Sequence, residues 1–172
     1  MIAPLSERLG LSERELVAFT GAGGTSTLML ALGRELADSG KRVVLTTTTK
    51  IGRDQIEGLS AVSGDPGVEA MSEIVGTNSP VAMVAAGDDH KVTGPAPEVL
   101  DGLVRSMPLD YLLVEADGAR GRSLKAPAAH EPVIPSLTTT VVVLMGVDAV
   151  GGRICDVAHR PEHAAALTGL RV

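Results

Sequence analysis

Residues 17–27 read Val-Ala-Phe-Thr-Gly-Ala-Gly-Gly-Thr-Ser-Thr, an apolar run entering a glycine cluster and leaving as a helix. Binding a phosphate needs backbone N–H groups aimed at one spot and a backbone free of obstructing Cβ atoms. Gly21, Gly23 and Gly24 meet the second need. A helix starting near Thr25 meets the first and adds the positive end of its dipole. Ala22, Thr25, Ser26 and Thr27 complete this candidate phosphate loop. A full P-loop places lysine after the last glycine and a hydroxyl residue after the lysine. Here Thr25 holds the lysine position and Ser26 the hydroxyl position, while Phe19 stands where the motif's first glycine belongs. The missing lysine removes the cation that most directly serves phosphoryl transfer. Binding can rest on backbone donors; turnover is in doubt. A plain glycine turn joining strand to helix is the competing account.

Further groups lie at the ends of other apolar runs. Thr46-Thr47-Thr48-Thr49-Lys50 would sit at the C-terminal end of a strand, where open α/β sheets bind ligands. Thr49 is a candidate phosphate contact, and Lys50 a stand-in cation with a catalytic role. The competing account is β-branched residues chosen for strand propensity. Leu112-Leu113-Val114-Glu115-Ala116-Asp117-Gly118 ends an apolar run in carboxylates. Glu115 and Asp117 share a face if the strand continues that far, and both are candidate catalytic residues. Ser26 and Asp117 are the candidate Mg²⁺ ligands, with Glu115 as the alternative carboxylate. Ala119-Arg120-Gly121-Arg122-Ser123-Leu124-Lys125 then brings Arg120, Arg122 and Lys125 into one candidate anion-binding loop. A solvated basic turn is the alternative. No His or Cys spacing suits a zinc site. An acidic residue expected after the second strand for an NAD ribose is absent, which ranks dinucleotide binding of that kind low.

The elements that must position these groups follow from hydrophobic patterning. Leu16–Thr20, Arg42–Thr48, Tyr111–Glu115 and Thr139–Gly146 are Val- and Leu-rich with little alternation, as strands buried on both faces would be. Val81–Ala86 is a further strand and Ser60–Ser63 a short one. Leu28, Leu32 and Leu36 fall on one stripe of a helix over Ser26–Ser39, closed by Gly40. Val68–Val75, Pro97–Ser106 and His159–Leu167 are further helices, the last with Pro161 in its first turn. Ile51–Pro66 and Gly87–Pro97 are expected as long surface loops. Alternating strand and helix predicts an α/β fold: a three-layer, mainly parallel sheet flanked by helices.

The chain has 172 residues, enough for one domain (1–172) with a full core. Hydrophobic residues make up 44%, yet Phe and Tyr occur once each, so aliphatic residues and Met must fill that core. A formal charge of −6 disfavours nonspecific nucleic-acid binding. Cys155 stands alone and forms no intrachain disulfide. The apolar runs are too short for a membrane span, and residues 1–11 do not read as a signal peptide, so a cytoplasmic protein is expected.

Taken in order, Gly21-Ala22-Gly23-Gly24, Thr46–Lys50, Glu115-Ala116-Asp117-Gly118-Ala119-Arg120-Gly121, Leu124-Lys125-Ala126-Pro127, His130-Glu131-Pro132 and His159-Arg160-Pro161-Glu162 resemble one family. It is that of the selenium-dependent hydroxylase accessory proteins of the YqeC type, and the resemblance runs from about Leu16 to Leu170. It implies a P-loop NTPase-like fold and an association with maturation of molybdenum-containing hydroxylases, some with labile selenium. The resemblance adds a molybdenum hydroxylase client as partner. The motifs themselves lead to the expectation of Mg²⁺ and a nucleoside triphosphate as cofactors and a nucleotide or phosphorylated small molecule as ligand. Charge and run lengths lead to that of no nucleic acid or membrane partner. Family members usually carry lysine where this chain has Thr25, and they tend to continue past the final helix, whereas this chain stops at Val172. Three functions compete: a nucleotide-binding accessory protein, a phosphoryl- or nucleotidyl-transfer enzyme acting on a molybdopterin-type cofactor, and a non-catalytic scaffold with a relic loop.

Overall fold

The computed structural model describes residues 2–64 and 66–171. Its centre is a six-stranded sheet in which every pairing is parallel. The strands are β1 (Glu15–Gly21), β2 (Val43–Thr47), β4 (Ser60–Ser63), β5 (Val81–Val84), β8 (Tyr111–Glu115) and β10 (Thr140–Leu144), in the order β10-β1-β8-β2-β5-β4. A small antiparallel sheet joins β3 (Lys50–Gly52), β7 (Lys91–Thr93) and β6 (Ala86–Gly87). A two-stranded parallel piece joins β9 (Leu124–Lys125) and β11 (Ala158–His159). The helices are α1 (Leu5–Arg8), α2 (Thr25–Asp38), α3 (Val68–Asn78), α4 (Pro97–Ser106), α5 (Ile154–Val157) and α6 (Pro161–Thr168). No helix among the described residues is long and apolar enough to cross a membrane.

Strand parity divides the core into two layers. Val17 and Phe19 of β1, Val43 and Leu45 of β2, and Tyr111 and Leu113 of β8 pack with Met29, Leu32 and Leu36 of α2. The alternate residues Leu16, Val44, Leu112 and Val114 pack on the other face with Met71 and Val75 of α3 and Leu100 and Leu103 of α4. Fully burying one such side chain contributes about 1.5–3 kcal/mol. Gly33 lets α2 lie close to the sheet, since a Cβ there would come within 2.8 Å of the Leu45 side chain. The same parity decides where Glu115 goes. It follows Tyr111 and Leu113 on the α2 side, between Phe19 and Thr47 of the neighbouring strands.

The α/β class and the mainly parallel sheet agree with the sequence, and so do α2 and α4. Three expectations change. β10 is an edge strand, not a strand buried on both faces: Val141 and Val143 are exposed while Val142 and Leu144 pack inward. The two stretches expected as loops carry β3, β7 and the end of β6, held by burial of Ile51 and Val92, while the short strand expected at Ser60–Ser63 is β4. The last helix starts at Pro161, because His159 belongs to β11 and Arg160 adopts a left-handed backbone.

Candidate functional site

The C-terminal ends of β1, β2 and β8 open into a cleft of about 1550 Å³. Its floor is the start of α2. Gly24, at φ 117°, forms the helix N-cap, and no side chain caps the helix. The first-turn N–H groups of a helix have no intrahelical partner, so here they face the cleft. Gly23, at φ 78°, must be glycine: a Cβ there would lie 2.3 Å from the backbone nitrogen of Gly146. A Cβ on Gly24 would meet nothing within 4 Å, so only its backbone angle asks for glycine.

Glu115 lies behind the helix start. Its Oε1 accepts hydrogen bonds from Thr25 Oγ1 at 2.9 Å and Ser26 Oγ at 2.8 Å. Its Oε2 is buried without a hydrogen-bond partner. The residue is 5% exposed, and burial, opposed by the two hydroxyls and reinforced by the Asp117 charge, pushes its pKa up. Thr25 thus fills the place of a cation with a neutral donor aimed at a buried carboxylate.

Asp117 has a different environment. β8 ends at Glu115. Asp117 Oδ2 accepts from Thr20 Oγ1 at 3.3 Å, and Oδ1 pairs with the Lys125 ammonium. Both side chains are 1% exposed. Lys125 also donates to the Gly118 carbonyl at 2.6 Å and lies 3.0 Å from Glu131 Oε2. Arg160 closes the chain with hydrogen bonds of 2.6 and 3.2 Å to the Glu131 carboxylate. Those bonds, with Lys125 assisting, hold the Glu131 pKa at about 2. The network fastens the β9–β11 piece to the end of β8.

The threonine run divides between structure and cleft. Thr46 Oγ1 donates to the Met83 carbonyl at 2.8 Å, Thr47 Oγ1 to the Glu115 carbonyl at 2.8 Å, and Thr48 Oγ1 to the Val133 carbonyl at 2.6 Å. Thr48, Thr49 and Lys50 line the cleft.

Of the residues singled out from sequence, Gly23, Gly24, Thr25, Ser26, Thr27, Thr49, Lys50, Glu115, Arg120 and Arg122 line this one space. Gly21, Ala22, Asp117 and Lys125 are not in its lining. The Ala22 N–H is bonded to the Leu144 carbonyl at 2.9 Å, which fixes the loop to β10. Ser26 and Asp117 do not meet as a ligand pair: Ser26 bonds Glu115, and Asp117 faces Thr20 and Lys125. Among the described residues no cluster of three or more His, Cys, Asp or Glu is arranged to hold a metal. Sequence reasoning missed His90, Lys91 and Thr93, which lie on and beside β7 in a segment expected as loop; it gives His159 and Arg160 as a helix start and part of a family motif, not as site residues. Pairing of Ile51 with Val92 delivers the first group, and nothing local in the sequence announces that pairing.

Across residues 17–162 the chain matches the family described as YqeC protein. It belongs to the YqeC family. A relative from Escherichia coli (strain K12), named Uncharacterized protein YqeC, is 35% identical over 167 residues, covering 94% of this chain and 64% of that protein. This YqeC-family chain therefore spans just under two thirds of the length of that relative. No solved structure matches it.

Proposed function

We propose that the cleft binds the phosphates of a nucleotide or other phosphorylated ligand, in a P-loop NTPase-like manner. One observation carries this. The uncapped start of α2 opens into a cleft where Lys50, Lys91, Arg120, Arg122 and Arg160 outnumber the carboxylates of Asp54, Glu115, Glu131 and Asp148, in a protein of net charge −6. Positive charge concentrated over a helix N-terminus recruits anions.

The groups present fit Mg²⁺ only as part of a phosphate complex. Ser26 Oγ is the hydroxyl at the helix start, and Glu115, with its unpartnered Oε2, is the carboxylate beside it. They would hold the ion with phosphate oxygens and water supplying the other ligands, and the ion would screen phosphate charge. Asp117 does not fit, being held by Lys125.

Binding is favoured over hydrolysis. No lysine stands at the helix start, and Lys125 is committed to two carboxylates, so Lys50 and the cleft arginines supply the charge. A cytoplasmic accessory role in molybdenum-hydroxylase maturation rests on family membership and completes the reading. Phosphoryl or nucleotidyl transfer is the second reading, and it rests on Glu115, a buried carboxylate with raised proton affinity beside the phosphate loop.

Isothermal titration with ATP, GTP and CTP, each with Mg²⁺, is the test. Saturable binding of one of them supports the proposal, and its loss from a Gly24→Val variant would assign it to the loop. No saturable binding by any of the three overturns it.

A further inference from the structure

Among the described residues, the non-glycine positions with positive φ are Arg120 (52°) and Arg160 (63°). Both line the cleft. A side-chain-bearing residue is sterically disfavoured there, and such strain concentrates where function requires it. Gly121 follows at φ 75°, so the chain turns through two successive left-handed residues. Arg120 is exposed, and among the described residues it has no hydrogen-bond or ion-pair partner. Arg160 is fixed instead, its terminal nitrogens bonded to Glu131 and to the Ala126 carbonyl.

His159 lies beside them. Its Nδ1 is buried without a hydrogen-bond partner. Burial first, then the charges of Arg160, Lys125 and Arg120, push its pKa down, so the ring is neutral and offers one donor and one acceptor. Of the nearby carboxylates, Glu131 pairs with Arg160 and Asp148 accepts from Ser123 Oγ at 2.6 Å, so neither engages Arg120. The cleft's volume, about 1550 Å³, exceeds the roughly 300–1,000 Å³ of a pocket for one small ligand.

We infer that Arg120, His159 and Arg160 form a second phosphate-oxyanion subsite, built from elements other than the glycine loop. This rests on the phosphate-binding reading of the cleft. The cleft then accepts two separate anionic groups, either the two ends of one ligand or a nucleotide beside a second phosphorylated substrate. Arg120 is the adaptable contact, and Arg160 and His159 are the fixed wall.

Isothermal titration with inorganic pyrophosphate tests this, on free protein and on protein presaturated with whichever Mg²⁺-nucleotide binds. Pyrophosphate should still bind beside nucleotide. Arg120→Gly should weaken that pyrophosphate site at least about tenfold, and by a larger factor than it weakens nucleotide binding. Glycine suits the left-handed backbone, so a melting temperature no lower than the parent's separates lost binding from lost fold. A dinucleoside tetraphosphate that displaces both probes at one equivalent assigns the groups to one molecule; failure to displace them assigns two substrates. Pyrophosphate excluded by bound nucleotide, or unaffected by Arg120→Gly, overturns the inference. Pyrophosphate binding that Arg120→Gly abolishes, with no nucleotide bound by the parent protein, sustains the subsite while the nucleotide reading falls.

Discussion

Lys125→Met should unfold this protein far more readily without touching the cleft lining. The ammonium sits between Asp117 and Glu131, and the Lys125 and Asp117 side chains are each 1% exposed. Met keeps the length of the aliphatic stem and deletes the charge. Asp117 then retains only the 3.3 Å bond from Thr20 and the nearby Gly118 N–H at 3.0 Å. Removing one partner of a buried ion pair costs about 3–5 kcal/mol, because the remaining charge stays desolvated and unpaired. Glu131 adds less, since it keeps Arg160 and is 20% exposed. For a domain of this size one kcal/mol corresponds to about 2–4 °C, so the melting temperature should fall by roughly 6–20 °C. Circular dichroism melts at neutral pH measure it. The double variant Asp117→Asn/Lys125→Met removes both charges and should recover at least about half of the loss, as coupled neighbours do. A single-variant shift under about 2 °C, or a double variant no better than the single, would refute the buried pair. A large loss of ligand affinity in Lys125→Met at unchanged stability would instead return Lys125 to the role of phosphate cation.

Two further outcomes follow from the geometry. The Glu131 carboxyl is held at about 2 by Arg160 and Lys125, below its ordinary 4.5. A depressed folded pKa stabilises fully above the unfolded value and loses that contribution as pH falls through the folded one. Melting temperature should therefore drop more steeply between pH 5 and about pH 2 in the parent than in Glu131→Gln; parallel acid limbs would contradict the assignment. In the phosphate loop, Gly23→Ala forces a Cβ to 2.3 Å from the Gly146 nitrogen and should cost more than about 2 kcal/mol by denaturant unfolding. Gly24→Ala meets open space and should cost only the backbone strain, about 1–2 kcal/mol. Equal costs would place the loop differently against β10.

The parts that sequence reasoning captured are those set by local periodicity. The Leu spacing marked α2, Pro97 marked the start of α4, and the apolar runs marked β1, β2 and β8. The glycine cluster, the threonine run and the Glu115 strand end were recognisable because each follows a strand. Their meeting at one sheet edge then follows from parallel topology. The ordered motifs also carried the family. Periodicity erred at β10, since an edge strand and a central strand can share a Val-rich sequence while differing in what covers them.

Tertiary structure decided how the charges are divided. In the sequence, Arg120, Arg122 and Lys125 are three cations within six residues with equal claim to a phosphate. In the fold Lys125 turns inward to neutralise Asp117, because two desolvated charges at the end of β8 must pair. Arg120 turns out over the cleft, where no carboxylate engages it. The four threonines look alike in sequence, yet the side chains of three donate to backbone carbonyls, and only Thr48 and Thr49 reach the cleft. The chain alone determines which elements form and what chemistry their ends carry, because those depend on neighbours in sequence. Burial and pairing depend on residues distant in sequence, such as Arg160 on Glu131, 29 positions away, across β11 and β9 in series with Asp117. Only the assembled sheet separates the groups that hold the protein together from those left facing a ligand.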